Sequence, residues 1–166
     1  SHPSTIGLGP TGTTSDKSVG MLLHDTVAFT VQGTPLGVLD AQCWVRDPED
    51  RNKSKRRKDA AIEDKESIKW LRSFRKVAQI KTLCPDTMLV SMGDRESDIF
   101  ELFLEASKDP AGPKLLVRAD KYRSRKVHEA ENEHEDYDYL WPFMERKPLA
   151  GTLQIHVPKR ENAQAR

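Results

Sequence analysis

Cysteine is scarce in this 166-residue sequence, and no run of apolar residues is long. The two cysteines, Cys43 and Cys84, have a spacing that fits neither a metal site nor a redox motif. No window approaches the ~18 consecutive apolar residues of a transmembrane helix, and the first residues lack the apolar core of a signal peptide. These absences argue against a membrane protein, a secreted disulfide scaffold and a zinc-finger module. They favour a protein with free thiols in a reducing cytoplasm.

Aromatic residues are also few, at 7%, and apolar residues make up 36% of the chain, whereas charged residues reach 32%. A typical soluble domain is about 25% charged. Because the net charge is only +1, self-repulsion does not oppose folding. The composition therefore predicts a chain of one-domain size with little apolar surface to spare.

Residues 1–19 are rich in Gly, Pro, Ser and Thr, a composition typical of a loop. Apolar and polar residues then alternate over Met21–Val31 and again over Leu36–Val45, on either side of a Gly-Thr-Pro turn. This alternation predicts an antiparallel β-hairpin with one half-buried face. The apolar positions expected on that face are Leu23, Val27, Phe29 and Val31 on the first strand and Leu39, Ala41, Cys43 and Val45 on the second.

A strand–helix–strand pattern follows a basic run at 51–58, which we expect to be a surface loop. Asp64 is a candidate helix cap before the apolar spacing of Ile68, Leu71 and Phe74, and Pro85 marks the helix end. The run at 87–92 predicts a strand buried on both faces. A second amphipathic helix and a short strand at 114–119 complete parallel βαβ units, so the residues predict a mixed α/β sheet.

The last third of the chain is patterned less clearly. A basic stretch, an acidic stretch and an aromatic stretch precede Gly151–Val157, which alternates like a strand but has no following partner strand. We therefore expect the sequence to be a piece of a longer protein, cut at both ends.

The densest group of reactive side chains is Gly93-Asp94-Arg95-Glu96, between a predicted strand and a helix. Ligands of open α/β sheets gather at the carboxyl ends of strands, where Asp94 would lie. Its carboxylate suits Mg²⁺ or Mn²⁺, and Arg95 suits phosphate. The alternative is that Asp94 or Ser97 only caps the helix and that Arg95 and Glu96 are solvated.

A basic stretch also leaves the last βαβ strand and would lie near Asp94, where it could bind a polyanion. Its members are Arg118, Lys121, Arg123, Arg125 and Lys126. A basic loop that serves only solubility is the alternative. His24, Asp25 and Asp40 lie in the hairpin, and their pattern does not favour a metal site. Asp25 falls in the apolar register, which indicates either a buried acid or a slipped register.

Four segments, read in order and spacing, resemble bacterial insertion-sequence transposases of the cut-and-paste, hairpin-forming DDE class, the fourth insertion-sequence family. They are GLGPTGTTSDKSVGMLLHDTVAFT, TPLGVLDAQCWVRDPED, KESIKWL and VSMGDRESDIFELF. The resemblance covers nearly the whole chain, and GDRESDIFELF is its most specific part.

The resemblance implies a ribonuclease H-like fold, a mixed sheet with flanking helices that is incomplete at both ends. Residues 1–147 would be the central part of the catalytic domain, and residues 148–166 would begin a β-strand insertion. It implies a bacterial, cytoplasmic, nucleoid-associated protein that acts as a homodimer on double-stranded DNA.

The active site implied by the resemblance is two Asp and one Glu that hold two Mg²⁺ or Mn²⁺ ions. Asp94 matches the second Asp, whereas the first Asp and the Glu would lie outside these 166 residues. Arg95, Arg118, Lys121 and Arg123 would contact phosphates of the transposon end, and Lys17 would also approach DNA. Asp120 departs from the basic character expected at that stretch.

Three functions fit the sequence. The first is a segment of a transposase that cuts and rejoins DNA. The second is a haloacid-dehalogenase-like, Mg²⁺-dependent phosphatase, since Gly93, Asp94 and Asp98 form a GDxxxD motif, although the paired aspartates of its nucleophile motif are missing. The third is a transposase remnant that binds DNA without catalysis.

Overall fold

The computed structural model describes residues 7–12, 18–47, 60–120, 125–127 and 138–154. These residues form a mixed α/β structure with small sheets and three α-helices. The chain divides into two compact units, Ser1–Asp120 and Lys121–Arg166. The boundary at 147/148 that the resemblance implies stays a prediction.

The strands are β1 (Gly9–Pro10), β2 (Val19–Gly20), β3 (Leu22–Phe29), β4 (Pro35–Trp44), β5 (Val90–Gly93), β6 (Lys114–Val117), β7 (Lys126–Val127) and β8 (Asp138–Tyr139). The α-helices are α1 (Ile68–Leu83), α2 (Phe100–Ser107) and α3 (Leu140–Glu145). None of the helices in the described ranges is long and apolar enough to cross a membrane.

The predicted hairpin is confirmed, because β3 and β4 pair antiparallel with Leu23 opposite Cys43. The turn between them uses Gly33 at a positive φ of 87°, a conformation that glycine adopts without strain. The register shifts after Thr26 and again after Ala28, as a β-bulge requires.

The prediction of which hairpin face is covered is wrong. Leu23 is 67% exposed and Phe29 59% exposed, whereas the alternate positions of β3 are half-buried. The reason is that α1 is held to the other face by specific polar contacts. Gln42 donates to the Lys69 carbonyl and to Ser73 Oγ, both at 3.1 Å. Asp25 shares the exposed apolar face, so it is not a buried acid.

Strand β1 lies within residues 1–19, which the composition predicts to be a loop, and β2 begins at the last residue of that stretch. They pair antiparallel, with Gly9 opposite Gly20. A Cβ on Gly9 would collide with the Arg46 carbonyl, so the close approach of these segments requires glycine. Arg46 also donates to the Thr11 carbonyl at 3.0 Å.

Helix α1 begins at Ile68, later than the predicted cap at Asp64, which lies in a short 3₁₀ helix (Ile62–Asp64). Polar contacts of Glu66 join the segment before the helix to the end of β4. The Glu66 carboxylate pairs with Arg46 at 2.8 Å and accepts from Trp44 Nε1 at 3.0 Å.

Of the predicted βαβ units, the one around α2 is confirmed, since β5 and β6 pair in parallel and α2 connects them. The one around α1 is not found, because β4 and β5 lie in different sheets. The prediction that β5 is buried on both faces is wrong, because Met92 is 72% exposed and Val90 is 45% exposed. The predicted single sheet is also not found among the described strands, which form four two-stranded sheets.

The core of the described residues is small and lies where α1 meets α2. Leu71, Phe74 and Leu102 are each at most 4% exposed and contact one another. Half-buried residues from both helices and from β6 surround them, among them Trp70, Ile99 and Leu115. The position of the two helices over the parallel pair thus depends on a few side chains.

The second unit contains β7, β8 and α3, and β7 pairs antiparallel with β8. Gly151–Gln154, predicted to begin a strand, is not in a strand, and the rest of that prediction lies outside the described residues. The basic run at 51–58 also lies outside them.

Glu105 links the two core helices and gives the fold a pH-dependent contact. Its carboxylate accepts from Arg75 at 2.8 Å and from Lys108 at 2.7 Å. Hydrogen bonds from these two cations lower the pKa of Glu105 from 4.5 to about 2. Because the pKa is lowered in the folded state, the contact stabilises the fold above the unfolded pKa, and this stabilisation disappears as the pH falls towards 2.

The Arg75 partner is half exposed, so solvent screens the ion pair and limits its contribution to stability. We therefore expect Glu105→Gln to lower the free energy of unfolding at pH 7 by only about 1 kcal/mol. The difference between the two proteins should shrink as the pH falls from 4.5 to 2. Urea unfolding at several pH values measures this difference in the free energy of unfolding. As a control, Glu105→Gln is also made in the Arg75→Ala protein, where its effect should be smaller because the ion pair is already absent. A difference that grows at low pH would contradict the assignment.

Candidate functional site

Asp94 follows β5 directly and is exposed, as the sequence predicted. Its Oδ1 accepts from the Glu96 N–H at 2.9 Å and so caps a short 3₁₀ helix (Arg95–Ser97). Asp94 thus caps this short 3₁₀ helix and not the predicted amphipathic helix α2, whose N-cap residue, Ile99, makes no side-chain capping bond. This capping bond leaves the Asp94 carboxylate at the surface, where it can also bind a ligand.

Close packing behind Asp94 fixes the turn. Ser97 is fully buried, and its Oγ donates to the Asp94 carbonyl at 2.6 Å. A Cβ on Gly93 would collide with Ser97 Oγ and would lie 3.4 Å from the Trp70 ring. The φ of Gly93 is not positive, so lack of space, and not an unusual backbone turn, requires glycine here.

The parallel ladder brings the two sequence-predicted arginines to the same edge as Asp94. The Arg118 N–H donates to the Gly93 carbonyl at 3.1 Å, which extends the β5–β6 pairing by one residue. Arg95 follows Asp94 in the chain, and both arginines are exposed. Lys17, Lys121 and Arg123 lie outside the described residues, so their predicted DNA contacts stay predictions.

Asp98 behaves differently from Asp94. It is 3% exposed, and its Oδ2 accepts from the Asp120 N–H at 2.9 Å. This bond ties the start of α2 to the segment that leaves β6. Asp98 thus has a structural contact that holds the edge together, whereas Asp94 faces solvent.

Lys69 is a charged residue beside the site that the sequence analysis did not single out. Its Nζ lies 5.7 Å from the ring centroids of both Trp44 and Trp70, and its side chain is 18% exposed. It pairs with Glu96 Oε2 at 3.3 Å. Tryptophan faces attract cations, so the two rings hold this ammonium next to the capped turn. The one sequence feature that includes Lys69 is the KESIKWL segment of the resemblance.

The hairpin candidates do not form a metal site among the described residues. His24 packs edge-on against Trp70, with ring centroids 4.6 Å apart. Burial, and next the Lys69 charge, lower the pKa of His24, and the charges of Asp25, Asp40 and Asp94 oppose this. This lowered pKa favours the neutral imidazole, which packs against the Trp70 ring.

One carboxylate is not a complete site for Mg²⁺, which prefers near-octahedral coordination by oxygen. Within the described ranges, no group of three His, Cys, Asp or Glu side chains is placed to hold a metal ion. Asp94 can supply one ligand. The described residues alone therefore do not fit the two-ion centre that the resemblance implies.

The geometry is suited to binding a phosphate group near an exposed carboxylate. Two exposed guanidinium groups on neighbouring segments can donate to phosphate oxygens, and arginine does so with paired hydrogen bonds. No family model, no curated protein and no solved structure matches the chain.

Proposed function

We propose that this chain is the central part of a DDE-class transposase catalytic domain with a ribonuclease H-like fold, and that its substrate is double-stranded DNA. The observation that carries the proposal is the exposed Asp94 carboxylate at the carboxyl end of β5, beside Arg95 and Arg118. The parallel β5–α2–β6 unit supports the fold, and the four quoted segments support the family.

The residues at this edge have distinct tasks in the proposed function. Arg95 and Arg118 bind phosphates and so hold the DNA backbone across the strand ends. Asp94 contributes one oxygen ligand for Mg²⁺ or Mn²⁺, and the metal, when bound, supplies the chemistry of phosphodiester cleavage. Gly93, Ser97 and the Asp98–Asp120 bond keep the Asp94 backbone in place.

The phosphatase alternative is less well supported. Its GDxxxD motif needs Asp94 and Asp98 on one metal ion, yet Asp98 is buried and accepts a backbone N–H, while Asp94 is exposed. The DNA-binding remnant uses the same arginines as the transposase. Cleavage distinguishes these two functions, and binding does not.

We expect Arg95→Ala/Arg118→Ala to weaken binding of duplex DNA of any sequence and to flatten its salt dependence. For every phosphate that the protein no longer neutralises, the log–log slope against salt should fall by about 0.9. Fluorescence anisotropy with a labelled duplex at several chloride concentrations measures both. Lys114→Ala, at the opposite end of β6, is the control and should leave the slope unchanged. An unchanged slope in the double variant would make these arginines ordinary solvated surface.

A further inference from the structure

Helix α1 concentrates positive charge in a chain that is nearly neutral overall. Its sixteen residues include five basic side chains and no acidic one, while the net charge of the whole chain is +1. A helix presents residues i and i+4 on one face, about 6 Å apart along its axis. Arg72 and Lys76 have this spacing, and both are exposed.

These two residues line a groove between α1 and β4. The groove has a volume of about 420 Å³. Among the described residues, its lining contains three cationic side chains, Arg72, Arg75 and Lys76, and one carboxylate, Asp40, and Gln79 adds an amide. The groove therefore has an excess of positive charge and hydrogen-bond donors along one wall.

The partners of these cations differ. Arg75 pairs with Glu105 at 2.8 Å, so its charge is largely offset. Asp40 Oδ2 accepts from Gln42 at 3.1 Å. Arg72 and Lys76 form no ion pair with any residue that the structure describes. Two exposed cations on one helix face, next to an open groove, are a suitable site for a chain of anions.

We propose that Arg72 and Lys76 form a second phosphate-binding site, which contacts the backbone of double-stranded DNA without reading its sequence. This inference rests on the proposed function, which supplies double-stranded DNA as the ligand. The site itself lies on α1 and not at the strand ends beside Asp94. Arginine and lysine are the residues that neutralise phosphates, and a sequence-independent contact needs only their charge. An acidic protein is the alternative ligand, which the experiment separates.

The test compares four variants with the unaltered chain in one titration with a labelled duplex of arbitrary sequence. Arg72→Ala/Lys76→Ala removes the groove cations, and alanine favours helix at both exposed positions. Arg95→Ala/Arg118→Ala removes the cations beside Asp94. Lys76→Ala and Lys114→Ala are matched single changes, on α1 and at the start of β6. Thermal unfolding of each variant verifies that the fold is kept.

We expect Arg72→Ala/Lys76→Ala to reduce the log–log salt slope by about 1.8, because each neutralised phosphate accounts for about 0.9 of the slope. Lys76→Ala should lower it by about half as much, and Lys114→Ala should leave it unchanged. A slope equal to that of the unaltered chain would overturn the inference. Equal effects of Lys76→Ala and Lys114→Ala on the slope would also overturn it. If Arg72→Ala/Lys76→Ala weakened the binding of poly-L-glutamate and left duplex binding unchanged, the ligand would be an acidic protein, and the inference would again be wrong.

The outcome also separates this inference from the proposed function. If only the variant beside Asp94 changes the slope, the second site is wrong and the proposed function stands. If only the α1 variant changes it, DNA binds at the groove and the phosphate-binding role of Arg95 and Arg118 is wrong. If the unaltered chain binds no duplex at low salt, both are wrong.

Discussion

Asp94→Asn is expected to reduce DNA cleavage to the background level while transposon-end binding stays unchanged. Asparagine retains an oxygen that can accept the Glu96 N–H, and it is as good a helix cap as aspartate, so the turn should survive. What disappears is the negative charge that a hard cation prefers in its ligands. The assay needs a longer protein that contains these residues together with the other two carboxylates expected from the resemblance.

Gel shift and cleavage on the same preparation separate binding from catalysis. Glu96→Gln is the matched control, because it removes one negative charge from the neighbouring exposed residue, whose partner is Lys69. The control should cleave like the parent. Cleavage by Asp94→Asn at the parent rate would leave Asp94 as a helix cap only, and loss of binding along with cleavage would indicate a damaged fold.

Phe74→Ala is expected to destabilise the first unit by about 3–5 kcal/mol, the usual cost of truncating a buried phenylalanine. Phe74 is 4% exposed and contacts Leu71 and Leu102 between the two helices. Because whole domains are stable by only about 5–15 kcal/mol, this change should bring the chain close to unfolding. Urea unfolding, with the midpoint and the slope determined separately, measures the destabilisation.

Phe100→Ala is the control for the same change of side chain. Phe100 is the first residue of α2 and is 67% exposed, so its truncation should cost little. If Phe74→Ala does not fold at all, Phe74→Leu should fold and show an intermediate destabilisation. Equal effects of Phe74→Ala and Phe100→Ala would mean that α1 and α2 do not share a core.

The local elements were predictable because they depend on short-range patterns. Alternation gave both hairpin strands, helical spacing gave α1, and the order of elements gave the parallel pair of β5 and β6. The covered face of the hairpin was not predictable in the same way. Bonds such as Gln42 to Ser73 join residues far apart in the chain, and no periodicity reveals them.

For the site, too, the sequence predicted the features that depend on local order along the chain and missed those that depend on packing between distant segments. The position of Asp94 at the end of a strand came from the sequence, as did the proximity of Arg118 to that edge. Lys69 was missed because its position depends on two tryptophans that approach from β4 and from α1 itself. The groove beside Arg72 was missed because it exists only once β4 and α1 pack together.

The exposed apolar face of the hairpin has a consequence for the choice of salt. Sulfate and phosphate are excluded from protein surfaces and strengthen the association of apolar groups. A face that includes Leu23 and Phe29 will respond to them by promoting precipitation as the salt concentration rises. Titrations in sodium chloride reduce this response, so that the measured slope follows chiefly the release of counterions from DNA.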